Sequence, residues 1–263
     1  LNVILNTLFI YSPRTVSLFG SQVFVWGAGW GVGGAAFASA LSTAFVACMF
    51  VLVIFRKKSP VQIGFKQRYH FDRHCLLTAW RLGLPEALER ATMSLAQIVI
   101  TGLITGVGTV AVAANHLAVT AESISYLPAS GVAVAGTTLV GQAIGAGRKD
   151  LAQRFARMVS WMGVVIMTFG GAILFFFAPQ LIQIFSSEPE VIDLGSRVLR
   201  IVAFAEPLFG ASIVASGCLR GAGDSRGPFL IGLCTMWGVR ITLSLLLVGQ
   251  LGLIGVWLAM AAE

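Results

Sequence analysis

Residues 217–229 read GCLRGAGDSRGPF. Glycines, arginines and an aspartate crowd together there. Long apolar runs flank them, IVAFAEPLFGASIVAS before and FLIGLCTMWGVRITLSLLLVG after. A glycine-rich, basic loop fits two structures. It can cradle a phosphate on backbone N–H groups, or it can turn the chain between helices at a membrane surface. The flanks decide. Apolar segments at 191–219 and 227–250 are each long enough to cross a hydrocarbon core of about 30 Å at about 1.5 Å per residue. The stretch is therefore read as a turn between spanning helices. In it, Gly221 and Gly223 are expected to let the chain reverse, Arg220 and Arg226 to hold it at the inner surface, and Pro228 to suit a first helical turn.

The rest of the chain repeats this pattern. Its 263 residues are 57% hydrophobic and 11% charged, whereas a soluble domain is nearer about 25% charged. Mean hydropathy is +0.86. Further apolar segments lie near 32–55, 82–107, 116–146 and 151–178. Residues 1–11 look like the tail of one spanning helix, and another begins at about 251. A Gly-, Trp- and Ser-rich connection follows the first, and 56–81 is the most polar stretch. The expected fold class is an all-α polytopic membrane protein, with seven or eight segments present. The apolar start lacks the basic region and cleavage site of a signal peptide. A chain that begins and ends inside apolar segments is expected to be a fragment. The four cysteines, Cys48, Cys75, Cys218 and Cys234, have no CxxC spacing and are read as free packing thiols.

The net charge of +7 raises nucleic acid as a partner, but its distribution argues against that. Lys and Arg number seven in 56–81, four in 147–157 and two in 220–226. These are alternate connections. The opposite ones carry Arg14, Arg197 and Arg200, and one of them, SSEPEVID at 186–193, is acidic. The positive-inside rule puts the basic connections in the cytoplasm. Charge split among short loops, without interleaved aromatics, makes no nucleic-acid patch.

A weak internal repeat is present. GVGGAAFAS (31–39) resembles GLIGVWLAM (252–260), with Gly31, Gly34 and Ala38 aligned to Gly252, Gly255 and Ala259. A direct repeat of about 220 residues with six segments in each copy implies a parent of twelve helices, and parallel repeats are typical of transporters.

Charged residues within apolar segments are costly and face a bundle interior or a wet cavity. This chain has Glu86, Glu89, Arg90, Glu122, Glu206 and Arg240. Pro85 fits the first turn of a helix. Glu86 and Arg90 have the spacing of an intrahelical ion pair, acid first. Glu89, about a turn from Glu86, either joins that polar end or lines a cavity. Glu122 lies among Thr120, Ser123 and Ser125, above a bend expected at Pro128. It suits a cation or proton site, or an interhelical hydrogen bond. Glu206 precedes Pro207, which frees a backbone carbonyl and leaves a polar spot. Arg240 is expected to neutralise an acid or anchor a helix. Tyr126 is a candidate wall for aromatic cations. The sequence has no HExxH, Walker A, dinucleotide or Ser-His-Asp signature, so no enzyme activity and no cofactor are expected.

These motifs add up to a resemblance. WRLGLPEALERATMSL, GTVAVAANHLAVTAESISYLPASGVAVAGTTLVGQAIGAGRKDLA, the stretch from EPEVIDLGSRVLR to LRGAGDSRGPF, and RITLSLLLVGQLGLIGVWLAM resemble the multidrug and toxic compound extrusion (MATE) transporters. The most specific elements are LVGQAIGAG and LRGAGDSR. The resemblance implies a two-lobe, twelve-helix bundle. Residues 1–58 would be the last two helices of the amino-terminal lobe, 59–76 a cytoplasmic linker, and 77–263 the carboxy-terminal lobe with its last helix truncated. It implies a monomeric antiporter in a lipid bilayer, the bacterial cytoplasmic membrane. Such a protein is driven by Na⁺ or H⁺ and exports small organic, often cationic and aromatic, compounds. A family cation site, N-x-x-x-D, maps onto NVILN, so Asn2 matches and Asn6 replaces the acid. Ser39 stands where a neighbouring Thr is common. These three are a possible Na⁺ site, and Asn6 cannot release a proton. Deep acids of some relatives fall here at Met93 and Phe209, with Glu89 and Glu206 nearby, which leaves Glu122 as the leading acid. The rival reading is a lipid-linked oligosaccharide flippase. It would favour clustered Arg and Lys, whereas the spans here hold more acids than bases.

Overall fold

The computed structural model describes residues 1–18, 21–55 and 72–263. They form two units, Leu1–Phe71 and Asp72–Glu263.

In the first unit, α1 (Asn2–Phe9) and α2 (Gly31–Ile54) flank a hairpin of β1 (Arg14–Leu18) and β2 (Ser21–Val25), paired antiparallel from Arg14↔Val25 to Leu18↔Ser21. The sequence reading has only an irregular connection there. The hairpin is the departure from helix among the described residues. The aromatic rings of Phe9, Trp30 and Phe37 lie 5.2–5.7 Å apart between centroids and tie α1 to α2.

The second unit contains α3 (Arg73–Val107), α4 (Thr109–Gly145), α5 (Lys149–Phe176), the short α6 (Ala178–Gln183), α7 (Pro189–Gly221), α8 (Arg226–Leu233), α9 (Thr242–Leu251) and α10 (Leu253–Ala262). A wider π-helical segment, Cys234–Ile241, joins α8 to α9, so that Arg226–Leu251 runs as one span. Among the described residues, six helices are long and apolar enough to cross a membrane. The protein is an all-α polytopic membrane protein.

Three boundaries differ from those expected, and one is the start of α4, at Thr109 and not near 116. Helix α3 starts at Arg73, inside the expected linker and well before the apolar segment at 82, and Pro85 is inside it rather than in its first turn. Asp72 explains the early start: as N-cap it accepts the His74 backbone N–H at 2.8 Å, satisfying an otherwise orphaned donor. That bond, with one from Cys75, holds the exposed Asp72 carboxyl below the usual carboxylate range. Helix α7 runs through Arg220 to Gly221, so Arg220 belongs to a last helical turn and not to a loop.

Small residues set the packing of α4, α5 and α7. A Cβ on Gly217 would lie 2.6 Å from the Ala133 carbonyl oxygen, and one on Gly210 would lie 2.8 Å from that of Gly163. A Cβ on Gly221 would strike the Thr137 carbonyl oxygen. The role of Gly221 is therefore close approach of α7 to α4; the left-handed turn is made by Gly223, at φ +89°. The Thr137 hydroxyl seals the crossing by donating to the Gly217 carbonyl at 2.7 Å. In lipid, where apolar surface gives helices no preference for one another, such approach and interhelical hydrogen bonds drive association. Gly217→Val is expected to lower stability by about 1–3 kcal/mol, because a backbone carbonyl cannot rotate away. Thermal unfolding in detergent reads this, and an unchanged midpoint would refute it.

The repeated positions have matching local roles. Gly31 and Gly252 both adopt positive φ, +54° and +56°, at the start of α2 and α10. Gly34 abuts the Phe9 carbonyl of the preceding helix, and a Cβ on Gly255 would lie 2.7 Å from the Leu247 carbonyl oxygen of its preceding helix. Ala38 and Ala259 are both fully buried. The repeat consists of residues that fix how one helix starts against the previous one.

Candidate cation site in the helix bundle

Two buried acids lie on different helices of the second unit, linked through Ser125. Glu122 and Ser125 lie on α4, separated by close to one turn, so they share a face. Glu206 lies on α7 and is completely buried. The Ser125 hydroxyl donates to Glu206 Oε2 at 2.7 Å and lies 3.5 Å from the Met167 sulfur of α5. Glu206 Oε1 is shut away from solvent and has no hydrogen-bond partner among the described residues. Glu122 is also buried, one turn from Ser125 on α4. Among the described residues, no hydrogen bond or ion pair holds the Glu122 carboxylate.

Helix α5 closes the third side. A Cβ on Gly170 would strike the Ser125 hydroxyl, and one on Gly171 would lie 2.8 Å from the Ala203 carbonyl oxygen and 3.1 Å from Glu206 Cβ. The paired glycines let α5 come down onto the acids. Two buried carboxylates in one low-dielectric site, one with an unpartnered oxygen, call for a compensating cation or proton. The Glu206 oxygen and the Glu122 carboxylate can supply oxygen ligands.

The other candidates are distributed differently. Glu89 does not stand free toward a cavity. It pairs with Arg220 at 2.6 Å, α3 to α7, with side chains 10% and 29% exposed. Arg220 is thus an ion-pair partner and not only a surface anchor. The signal for this was weak: an acid deep in one apolar segment and a base at the end of another. Glu86 and Arg90 face one another at 3.8 Å, both well exposed, a loose version of the expected pair. Arg240 pairs with Glu263 at 3.2 Å. Tyr126 is partly exposed, its ring 6.4 Å from that of Phe209. Met93 lies on α3, beside Gly232 of α8. In the first unit, Asn6 Oδ1 is buried without a partner, whereas Asn2 and Ser39 are exposed. Among the described residues no hydrogen bond joins these three. The sequence reading overlooked Asn115, which accepts the indole N–H of the buried Trp257 at 3.0 Å and ties α10 to α4.

Comparison with known proteins agrees with this architecture. The chain is 30% identical over 236 residues to the probable multidrug resistance protein NorM of Thermotoga maritima, and 27% identical over 241 residues to the probable multidrug resistance protein YoeA of Bacillus subtilis. The alignments cover 89% and 88% of this chain but 50% and 51% of those proteins, so the chain spans about half their length. The fold superposes on an outward-facing multidrug resistance MATE family transporter of the MOP superfamily with a TM-score of 0.85, at 22% identity, over 99% of this chain and 55% of that one. A MATE crystal structure in complex with MaD3S gives 0.84 at 23% identity, with 99% and 55% covered. The family model MatE matches residues 85–246, from the first intramembrane acid of α3 through the helices that carry Glu122 and Glu206, and the chain belongs to that family.

Proposed function

We propose that the whole protein is a monomeric, secondary-active antiporter of the bacterial cytoplasmic membrane. It uses Na⁺ or H⁺ to export small organic compounds, cationic or aromatic, by alternating access. Residues 1–58 belong to the amino-terminal lobe and 77–263 to the carboxy-terminal lobe, with the linker expected at 59–76 ending where α3 starts at Arg73. The observation that carries the reading is the buried pair Glu206 and Glu122, with its unpartnered Glu206 oxygen. A cation binding there couples α4 to α7 and biases the bundle toward one of two states, as an antiporter requires. The neighbouring rings of Tyr126 and Phe209 suit aromatic cationic cargo. Asn6, with a carbonyl oxygen but no ionisable proton, is suited to Na⁺ and not to H⁺. The related proteins carry the names of probable multidrug resistance proteins, which supports export of drugs.

The test is efflux of a cationic dye from proteoliposomes holding the whole protein, under an imposed Na⁺ or pH gradient. Gradient-driven efflux supports the proposal; dye movement independent of both gradients removes it. A second expected result comes from Gly170→Ala. The added methyl displaces Ser125 from Glu206, so transport falls severalfold without loss of folded protein. A wild-type rate in that variant would argue that the Ser125–Glu206 bond plays no part.

A further inference from the structure

A groove of about 410 Å³ opens between α3 and α8. Arg81, Leu84, Pro85 and Leu88 form its α3 side, and Arg226, Phe229 and Leu230 its α8 side, with Trp80 at the rim. On each helix the apolar residues follow the arginine at i+3 and i+4, which places them on one face. Both helices leave connections read as cytoplasmic, so they run outward in the same sense. Both arginines therefore lie at the inner end of the groove, and the leucines lie deeper.

Neither arginine has an acid partner. All eleven acids of the chain are described, and the side-chain ion pairs use Arg90, Arg148, Arg197, Arg220 and Arg240. Asp224, the nearest acid in sequence to Arg226, turns its Oδ1 to the backbone N–H groups of Arg226 and Gly227 at 3.0 Å and so caps α8. The groove thus has two unpaired cations at one end and exposed apolar side chains, Leu84, Leu88 and Leu230, below them.

We propose that this groove binds an anionic phospholipid of the cytoplasmic leaflet. Arg81 and Arg226 hold the phosphate, and an acyl chain lies along Leu84, Leu88 and Leu230. Charge complementarity selects this occupant. A zwitterionic lipid leaves two positive charges uncompensated, and a protein segment would have to supply an acid at lipid depth. Basic pockets between spanning helices on the cytoplasmic side have this chemistry. One lipid touching both helices ties α3 to the start of α8. The inference does not depend on the transport reading.

Native mass spectrometry of the whole protein, titrated separately with phosphatidylglycerol and phosphatidylcholine, tests it. The wild type is expected to bind phosphatidylglycerol more tightly. Arg81→Gln with Arg226→Gln should weaken that binding about 30-fold, about fivefold for each arginine, and leave phosphatidylcholine unchanged. Arg81→Lys with Arg226→Lys should retain most of the preference, which separates headgroup charge from damage to the fold. Unchanged phosphatidylglycerol affinity in the glutamine variant would overturn the proposal, as would equal weakening for both lipids. Displacement of the lipid by millimolar inorganic phosphate would assign the arginines to a free anion instead.

Discussion

Glu206→Gln is expected to abolish the cation dependence of transport by the whole protein and to cut its gradient-driven rate by tenfold or more. Glutamine has nearly the shape of glutamate, and its carbonyl oxygen can still accept the Ser125 hydroxyl, which lies 2.7 Å from Glu206 Oε2. What it removes is the charge. A contact to a charged group contributes about 1.5–3 kcal/mol, equivalent to roughly tenfold to over a hundredfold in cation affinity. Removing a buried charge that has an unpartnered oxygen should also relieve electrostatic strain, so the variant should fold as well as the wild type. Glu122→Gln should weaken ion dependence as well, since Glu122 is buried one turn from Ser125, whose hydroxyl holds Glu206. Proteoliposome efflux at graded Na⁺ and at graded pH reads both variants. If Glu206→Gln transports at the wild-type rate with wild-type ion dependence, the coupling site lies elsewhere, and Asn6 with its buried Oδ1 becomes the first place to look.

Much of the fold was legible because lipid imposes a simple rule on composition. Runs of apolar residues must cross as helices, and alternating basic loops set the side. The acids were legible as candidates for the same reason: Glu122 and Glu206 stand out where charge is costly. Their companionship was not legible. Ser125 and Glu206 are 81 residues apart, and Glu89 and Arg220 are 131 apart; only the packing of α4 on α7, and the placing of α3 near the end of α7, brings them together. Arg220 was read as a loop residue because glycines follow it. Yet Gly221 is helical and packs on Thr137, which holds Arg220 in the last turn. Glycine marks both turns and close helix contacts, and only the partner helix distinguishes them. The pairing of β1 with β2 does not show in the sequence because both strands are short and lie between apolar helices. The small-residue repeat, in contrast, was visible in sequence and has a geometric meaning, since Gly34 and Gly255 each press on a carbonyl of the helix before.

Breaking the Glu89–Arg220 pair from one side should be the most destabilising single change in the second unit. The two side chains meet at 2.6 Å and are mostly buried, and they join α3 to the end of α7. Glu89 Oε2 and Arg220 Nε have no partners among the described residues, so the pair has no spare hydrogen bonds there with which to compensate. Removing one member of a buried pair leaves the other charge uncompensated, at a cost of about 3–5 kcal/mol. Replacing both by apolar residues of similar size is often neutral or stabilising. Arg220→Leu and Glu89→Leu should therefore each lower the thermal midpoint of the whole protein in detergent sharply, and the double variant should recover most of the loss. That non-additivity separates an ion pair from two residues that merely pack. A surface-anchor role for Arg220 predicts a mild effect in Arg220→Leu and no rescue by Glu89→Leu. The exposed pair Glu86–Arg90, at 3.8 Å, serves as the internal control, because its loss should cost no more than about 0.5 kcal/mol. If both pairs respond equally weakly, the Glu89–Arg220 contact contributes no more than the exposed pair, and the charge at Glu89 needs another explanation.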